Sequence, residues 1–144
     1  MTNFILNRLH LIYCITDPFY KSLALVDLAA EVGDQEMSLA LLVISEISAD
    51  RYKAQALIAY AGGIRLKEQA NIALKIAGEI RDSFYKCETA IAFLAYPIYE
   101  PDQILSIIAS IEDSFYKQDA LEKFAAALPK LTPSQSFPLT GWCR

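Results

Sequence analysis

The side chains able to do chemistry are few in this chain, and their spacing keeps them apart. One histidine, His10, and three cysteines, Cys14, Cys87 and Cys143, are the chain's only imidazole and thiol groups. No Cys-x-x-Cys pair occurs, so a zinc site would have to be gathered from across the whole fold, and no metal is expected. A serine or cysteine nucleophile needs a base within reach, and His10 stands in an apolar stretch where a packing or surface role is the simpler reading. Acids come in close sets, Asp27 with Glu31, Asp34 with Glu36, and Glu100 with Asp102. Catalytic carboxylate pairs need a pocket that lifts one pKa, whereas acids at helix starts are explained by the positive end of the helix dipole. Gly62-Gly63 lacks the Gly-x-Gly-x-x-Gly spacing of a nucleotide loop and reads as a helix stop. The chain is therefore expected to carry no catalytic residue, no metal ligand set and no cofactor.

Composition points to a globular helical protein. The 144 residues suffice for one core without disulfides, and 54% hydrophobic against 21% charged residues excludes a disordered chain. Ala, Leu and Ile dominate and only five glycines interrupt them, which favours helix. A net charge of −4 with dispersed Lys and Arg argues against nucleic acid and against an anionic membrane surface. No apolar run approaches the roughly 20 residues of a spanning helix. Residues 4–15 are apolar but carry Asn7, Arg8 and His10 with no small-residue cleavage site after them, so no signal peptide is expected. Cysteines that are odd in number and widely spaced fit a reduced, cytoplasmic protein.

The elements that must position these residues recur. Asp17-Pro18-Phe19-Tyr20-Lys21 returns as Asp82-Ser83-Phe84-Tyr85-Lys86 and Asp113-Ser114-Phe115-Tyr116-Lys117, with a variant at Asp50-Arg51-Tyr52-Lys53. The Tyr-Lys pairs fall at 20, 52, 85 and 116, and a period slightly above 30 marks stacked helical units. A leading helix is predicted over 3–15. Asp17 caps the next one with Pro18 at its first position, and Gly33-Asp34 ends it with glycine in a left-handed conformation. A nearly all-apolar helix follows over 35–47, needing neighbours on several faces. Asp50 or Ser48 caps the second unit, whose second helix runs over 66–80. Asp82 caps the third, which breaks at Tyr96-Pro97-Ile98-Tyr99-Glu100-Pro101 before a helix over 102–111. Asp113 opens a closing helix that ends before Pro129. The expected organisation is a domain over 1–128, with a leading helix, three antiparallel pairs and a closing helix, then a Pro-rich irregular tail over 129–144.

The aromatic residues Phe19, Tyr20, Tyr52, Phe84, Tyr85, Phe115 and Tyr116 are read as plugs at the junctions between units. Each lysine would snorkel toward the carbonyls ending the previous second helix. The rival reading is a ladder of Tyr and Lys gripping an acidic or aromatic peptide. Helix pairs of just over 30 residues with a Gly-Asp turn and an Asp-Pro boundary resemble the tetratricopeptide-repeat class of α-solenoids, with a HEAT-like arrangement as the alternative. The resemblance implies an all-α, right-handed α-α superhelix whose first helices line a concave groove. It thereby points to Asp27, Glu31, Gln55, Glu88, Gln118 and Lys123 as partner-facing positions. The expected function is a non-catalytic scaffold for another protein or peptide. A chaperone for a secreted effector and a small ligand-binding helical domain are the alternatives. If the chain self-associates, the leading helix is the expected two-fold contact, with the tail covering the closing helix through Leu131, Phe137 and Trp142.

Overall fold

Asp17, Asp82 and Asp113 each start a helix by the same local chemistry. The computed structural model describes the backbone of residues 2–131 and the side chains of residues 4–128. Within it the helices are α1 (Thr2–Tyr13), α2 (Pro18–Leu28), α3 (Asp34–Ser45), α4 (Asp50–Ala61), α5 (Lys67–Glu79), α6 (Ser83–Phe93), α7 (Pro101–Ala109) and α8 (Ser114–Leu131). Asp17 Oδ1 accepts from the N–H groups of Phe19 and Tyr20, at 2.9 and 3.1 Å. Asp82 Oδ1 accepts from Tyr85 N–H, and Asp113 Oδ1 from Phe115 and Tyr116 N–H. Each cap satisfies donors that the first helical turn leaves without partners.

The second unit departs from this rule. Ala49, not Ser48 or Asp50, occupies the cap position of α4, and no side chain accepts there. Asp50 is committed elsewhere: its carboxylate takes the N–H groups of Arg81 (2.9 Å) and Asp82 (2.8 Å) in the next unit. Ala49 has φ −95 and ψ 122, close to the −66 and 122 of Asp82. Ala49→Asp is therefore expected to stabilise the protein by about 1 kcal/mol, read as a raised urea midpoint at unchanged slope. A lowered midpoint would show that crowding beside Asp50 outweighs the cap.

The helices form two layers. Helices α2, α4, α6 and α8 lie side by side in one; α1, α3, α5 and α7 lie side by side in the other; each helix also touches its chain neighbours across the layers. The fold is thus an all-α, solenoid-like stack of antiparallel helix pairs, with no strand among the described residues. Superposing the four Tyr-Lys pairs shows why the layers pack. Leu9, Leu41 and Leu74 share one buried column, Ile47, Ile80 and Ile111 a second, and Leu28, Tyr60, Phe93 and Phe124 a third. Two tyrosines reach polar partners inside this core. Tyr60 Oη donates to the Leu25 carbonyl (2.7 Å) and Tyr99 Oη to the Ala61 carbonyl (2.6 Å).

Two boundaries differ from the sequence reading, the turn between α2 and α3 and the end of α8. Gly33 is extended (φ −96, ψ −175) and precedes α3, its N–H donating to Glu36 Oε1, and no described glycine has positive φ. The chain ends α2 instead by tightening into a 3₁₀ turn at Ala29–Glu31. Gly62 does end α4, as its C-cap, and it also supplies space: a Cβ there would lie 2.8 Å from Tyr96 Oη. Helix α8 continues to Leu131, through Pro129. Proline removes a single N–H donor there, close to the helix end and on the side where Ala125 is exposed, so water can replace the lost bond. Residues 132–144, including Phe137 and Trp142 and most of the expected tail, lie outside the described residues.

Candidate functional site

Phe19 and Phe84 stand at the junctions between first helices, but on the outer surface of their layer. Phe19 meets Tyr52 of the next unit edge to face, centroids 5.6 Å apart, and Phe84 meets Tyr116 at 5.4 Å. Within each unit Phe19–Tyr20, Phe84–Tyr85 and Phe115–Tyr116 make the same edge contact. Phe19, Tyr20, Phe84 and Phe115 are exposed, and Tyr52, Tyr85 and Tyr116 are half-buried. The rings are therefore a surface ladder spanning the junctions, and not buried plugs. The physical reason is position: two residues in the first turn of adjacent parallel helices face one another before either faces the second layer. Arg51 interrupts the ladder, its guanidinium 5.5 Å from the Tyr52 ring.

The lysines that follow are drawn inward. Lys21 and Lys86 are both buried; Lys21 lies over the Tyr13 ring at 5.6 Å, and Lys86 Nζ donates to Ser110 Oγ at 2.8 Å. Ser110 ends α7, so Lys86 serves the helix that follows it and not the preceding one. Burial holds the Lys86 ammonium below its usual pKa, partly offset by Glu112 and Asp50. Lys86 lines an open cleft of about 1280 Å³ at the junction of the second, third and fourth units. Its walls carry Arg51, Lys53 and Arg81 against Asp50, Glu79, Asp82 and Glu112. Two of those acids, Asp50 and Asp82, are already bound to backbone N–H groups.

Beside the ladder the α2–α4 surface forms an apolar groove of about 360 Å³, lined by Phe19, Ser22, Leu23, Val26, Gln55 and Ile58. Ser22 fixes its floor by donating to the Tyr52 carbonyl at 3.1 Å. Through Val26 the groove joins a hollow of about 640 Å³ at the far ends of the same helices, walled by Glu31, Asp34, Arg65 and Tyr96. The spacing of Phe19, Leu23 and Val26, four residues and then three, puts them on one exposed stripe of α2. Val26 and Ile58 share one column of the repeat, together with Ile91, and an apolar residue on a face otherwise open to water was the signal for them in the sequence.

The positions taken from the resemblance are scattered around this surface. Gln55 lines the groove, Asp27 is exposed on α2, and Glu31 lies 3.7 Å from Arg8. Glu88 and Gln118 are exposed on α6 and α8. Lys123 bonds Asp119 at 2.7 Å and does not approach the groove residues. No group of three His, Cys, Asp or Glu that could hold a metal occurs among the described residues. Cys87 is buried, 3.9 Å from Asp119 Oδ2, and burial with that carboxylate pushes its thiol up to about 11, while Cys14 is exposed. A thiol reagent is expected to modify Cys14 quickly and Cys87 at least roughly a hundredfold more slowly, since the thiolate carries the reaction. Peptide mapping of the labelled protein reads this directly, and equal rates would overturn the burial of Cys87.

No helix among the described residues is long and apolar enough to cross a membrane. Set against protein-family models, curated proteins and solved structures, the chain finds no match in any of the three comparisons.

Proposed function

We propose that this chain is a non-catalytic, tetratricopeptide-like helical-repeat scaffold working in the cytoplasm, and that it binds a segment of another protein along the outer face of its first helices. The observation that carries the reading is the apolar groove on α2 and α4, flanked by the exposed rings of Phe19 and Tyr20. An exposed, contiguous apolar strip held on rigid helices favours a partner that brings its own apolar side chains. The rim supplies the charge preference. Glu31 and Asp34 outnumber Arg65 in the walls of the adjoining hollow, so the favoured segment is apolar with basic flanks.

The test compares capture from the source cell extract by the native chain and by Leu23→Asp, whose site is exposed and whose helical content should not change. A stoichiometric protein held by the native chain and lost from Leu23→Asp supports the reading. Equal capture by both rejects the groove. A small molecule retained in native mass spectrometry, and lost on Lys86→Met, would instead support a ligand-binding domain using the charged cleft.

A further inference from the structure

Counted from Ile15, Ile47, Ile80 and Ile111, each repeating lysine stands six residues on, at Lys21, Lys53, Lys86 and Lys117. Lys21 and Lys86 are equally buried, at 8% exposed, but their surroundings differ. Two residues before Ile15 stands Tyr13, whose ring centre lies 5.6 Å from Lys21 Nζ. The same position before Ile80 is Gly78, so no ring covers Lys86 from there. Just before the isoleucine that follows each lysine, the first two units carry Glu46 and Glu79, and the third carries Ser110. A neutral hydroxyl thus stands where the repeat has a carboxylate. Ser110 Oγ accepts from Lys86 Nζ at 2.8 Å and donates its own proton to the Ile107 carbonyl at 2.6 Å. Lys86 forms no ion pair among the described residues, and two of its three N–H donors have no acceptor. Burial outweighs the pull of Glu112 and Asp50 on this ammonium. A desolvated cation with one neutral partner is costly unless something else completes it.

Gly78 leaves the space for such a partner. It lies within α5, where glycine weakens a helix relative to alanine. Its φ is not positive, and a Cβ there would meet only Ile107, at an ordinary 3.9 Å. Neither the backbone nor the packing therefore requires glycine at this point. What Gly78 does is line the open cleft of about 1280 Å³ together with Lys86 and Ser110. Arg51 and Arg81 line it too, and neither pairs with a carboxylate among the described residues. Of the cleft's acids, Asp50 and Asp82 hold backbone N–H groups, while Glu79 and Glu112 are exposed in its wall.

We propose that this cleft reversibly binds a small, hydroxyl-rich phosphate monoester, with Lys86 as the innermost contact of the phosphate group. A compact dianion suits an ammonium that shares its cleft with two guanidinium groups better than a single carboxylate does. The cleft is larger than a bare phosphate needs. Glu79 and Glu112, which only accept hydrogen bonds, match a ligand whose remaining groups are hydroxyls. The site shares no residue with the apolar groove on α2 and α4, so the scaffold and the phosphate site stand or fall separately.

Calorimetric titration of the full chain with glucose 6-phosphate at constant ionic strength tests this. Saturable binding with a Kd below about 1 mM is expected, with inorganic phosphate competing for the site and glucose giving no heat. Lys86→Met should weaken binding by about tenfold or more. Gly78→Tyr returns the first unit's ring to the lysine, and Ser110→Glu returns the repeat's carboxylate. Each should weaken binding as much although Lys86 keeps its charge, and all three variants should retain the native helical content. Leu23→Asp should bind like the native chain. No saturable binding by the native chain, equal binding by Lys86→Met, or acetate bound as tightly as phosphate would each overturn the proposal.

Discussion

Tyr99→Ala is expected to cost about 4 kcal/mol of folding stability, whereas Tyr99→Phe should cost about 1 kcal/mol. Tyr99 lies in the connection between α6 and α7, yet it is fully buried. Its ring stacks on Phe93 with centroids 4.3 Å apart and planes 25° from parallel, and Tyr96 meets its edge at 6.3 Å. Its hydroxyl closes the end of α4 by donating to the Ala61 carbonyl at 2.6 Å. Truncation to alanine removes the ring from a site enclosed by helices that are fixed by their own neighbours, so a cavity remains. Phenylalanine keeps the ring and loses only the hydrogen bond, leaving the carbonyl without its donor. Equilibrium urea unfolding of both variants separates the two effects. A loss below about 1 kcal/mol for Tyr99→Ala would mean that the connection yields and the ring is not part of the core.

The weight carried by Tyr99 was not legible in the sequence, and the reason is instructive. It sits between Pro97 and Pro101, in a stretch that reads only as a break between helices, and no helical period points to it. The stack itself was legible because the Asp-x-Phe-Tyr-Lys runs return at a period slightly above 30, with Tyr-Lys at 20, 52, 85 and 116. The caps at Asp17, Asp82 and Asp113 were legible for the same reason that they work: a short acceptor placed ahead of unpartnered N–H groups.

The same period misled where it implied burial from recurrence. Phe19 and Phe84 recur because their neighbours in the next unit are Tyr52 and Tyr116, a contact between surface positions on parallel helices. Recurrence reports that a residue meets the same kind of neighbour in each unit, and it does not say on which side of the layer. Gly33 failed differently. A glycine after a helix suggests a left-handed stop, but α2 had already tightened into a 3₁₀ turn, and the glycine was needed one step later as the extended lead into α3. The groove was half legible: Gln55 was among the positions the resemblance named, while Leu23, Val26 and Ile58 required knowing which face of α2 and α4 remains open.

Raising the pH above about 10, the ordinary tyrosine value, should unfold the protein cooperatively, with Tyr60 and Tyr99 as the principal cause. Both phenols are held well above that range, chiefly by burial; Arg8 offsets this slightly for Tyr60, and Tyr96 adds to it for Tyr99. Each hydroxyl donates to a carbonyl, so a phenolate would lose its bond and face the carbonyl oxygen unprotected. The sign follows from proton counting. Above pH 10 the unfolded chain releases these two protons and the folded chain retains them, so stability is complete below that pH and falls as pH rises further. The other six of the eight tyrosines are at least partly exposed. Ionisation of Tyr60 and Tyr99, read as tyrosinate absorbance, should therefore coincide with loss of helical ellipticity. In the Tyr60→Phe, Tyr99→Phe double variant that rise at unfolding should vanish, and unfolding should shift to higher pH even though the variant is less stable at neutrality. If Tyr60 and Tyr99 ionise in the native chain while ellipticity is intact, the two hydroxyls are open to solvent and the core described around them is wrong.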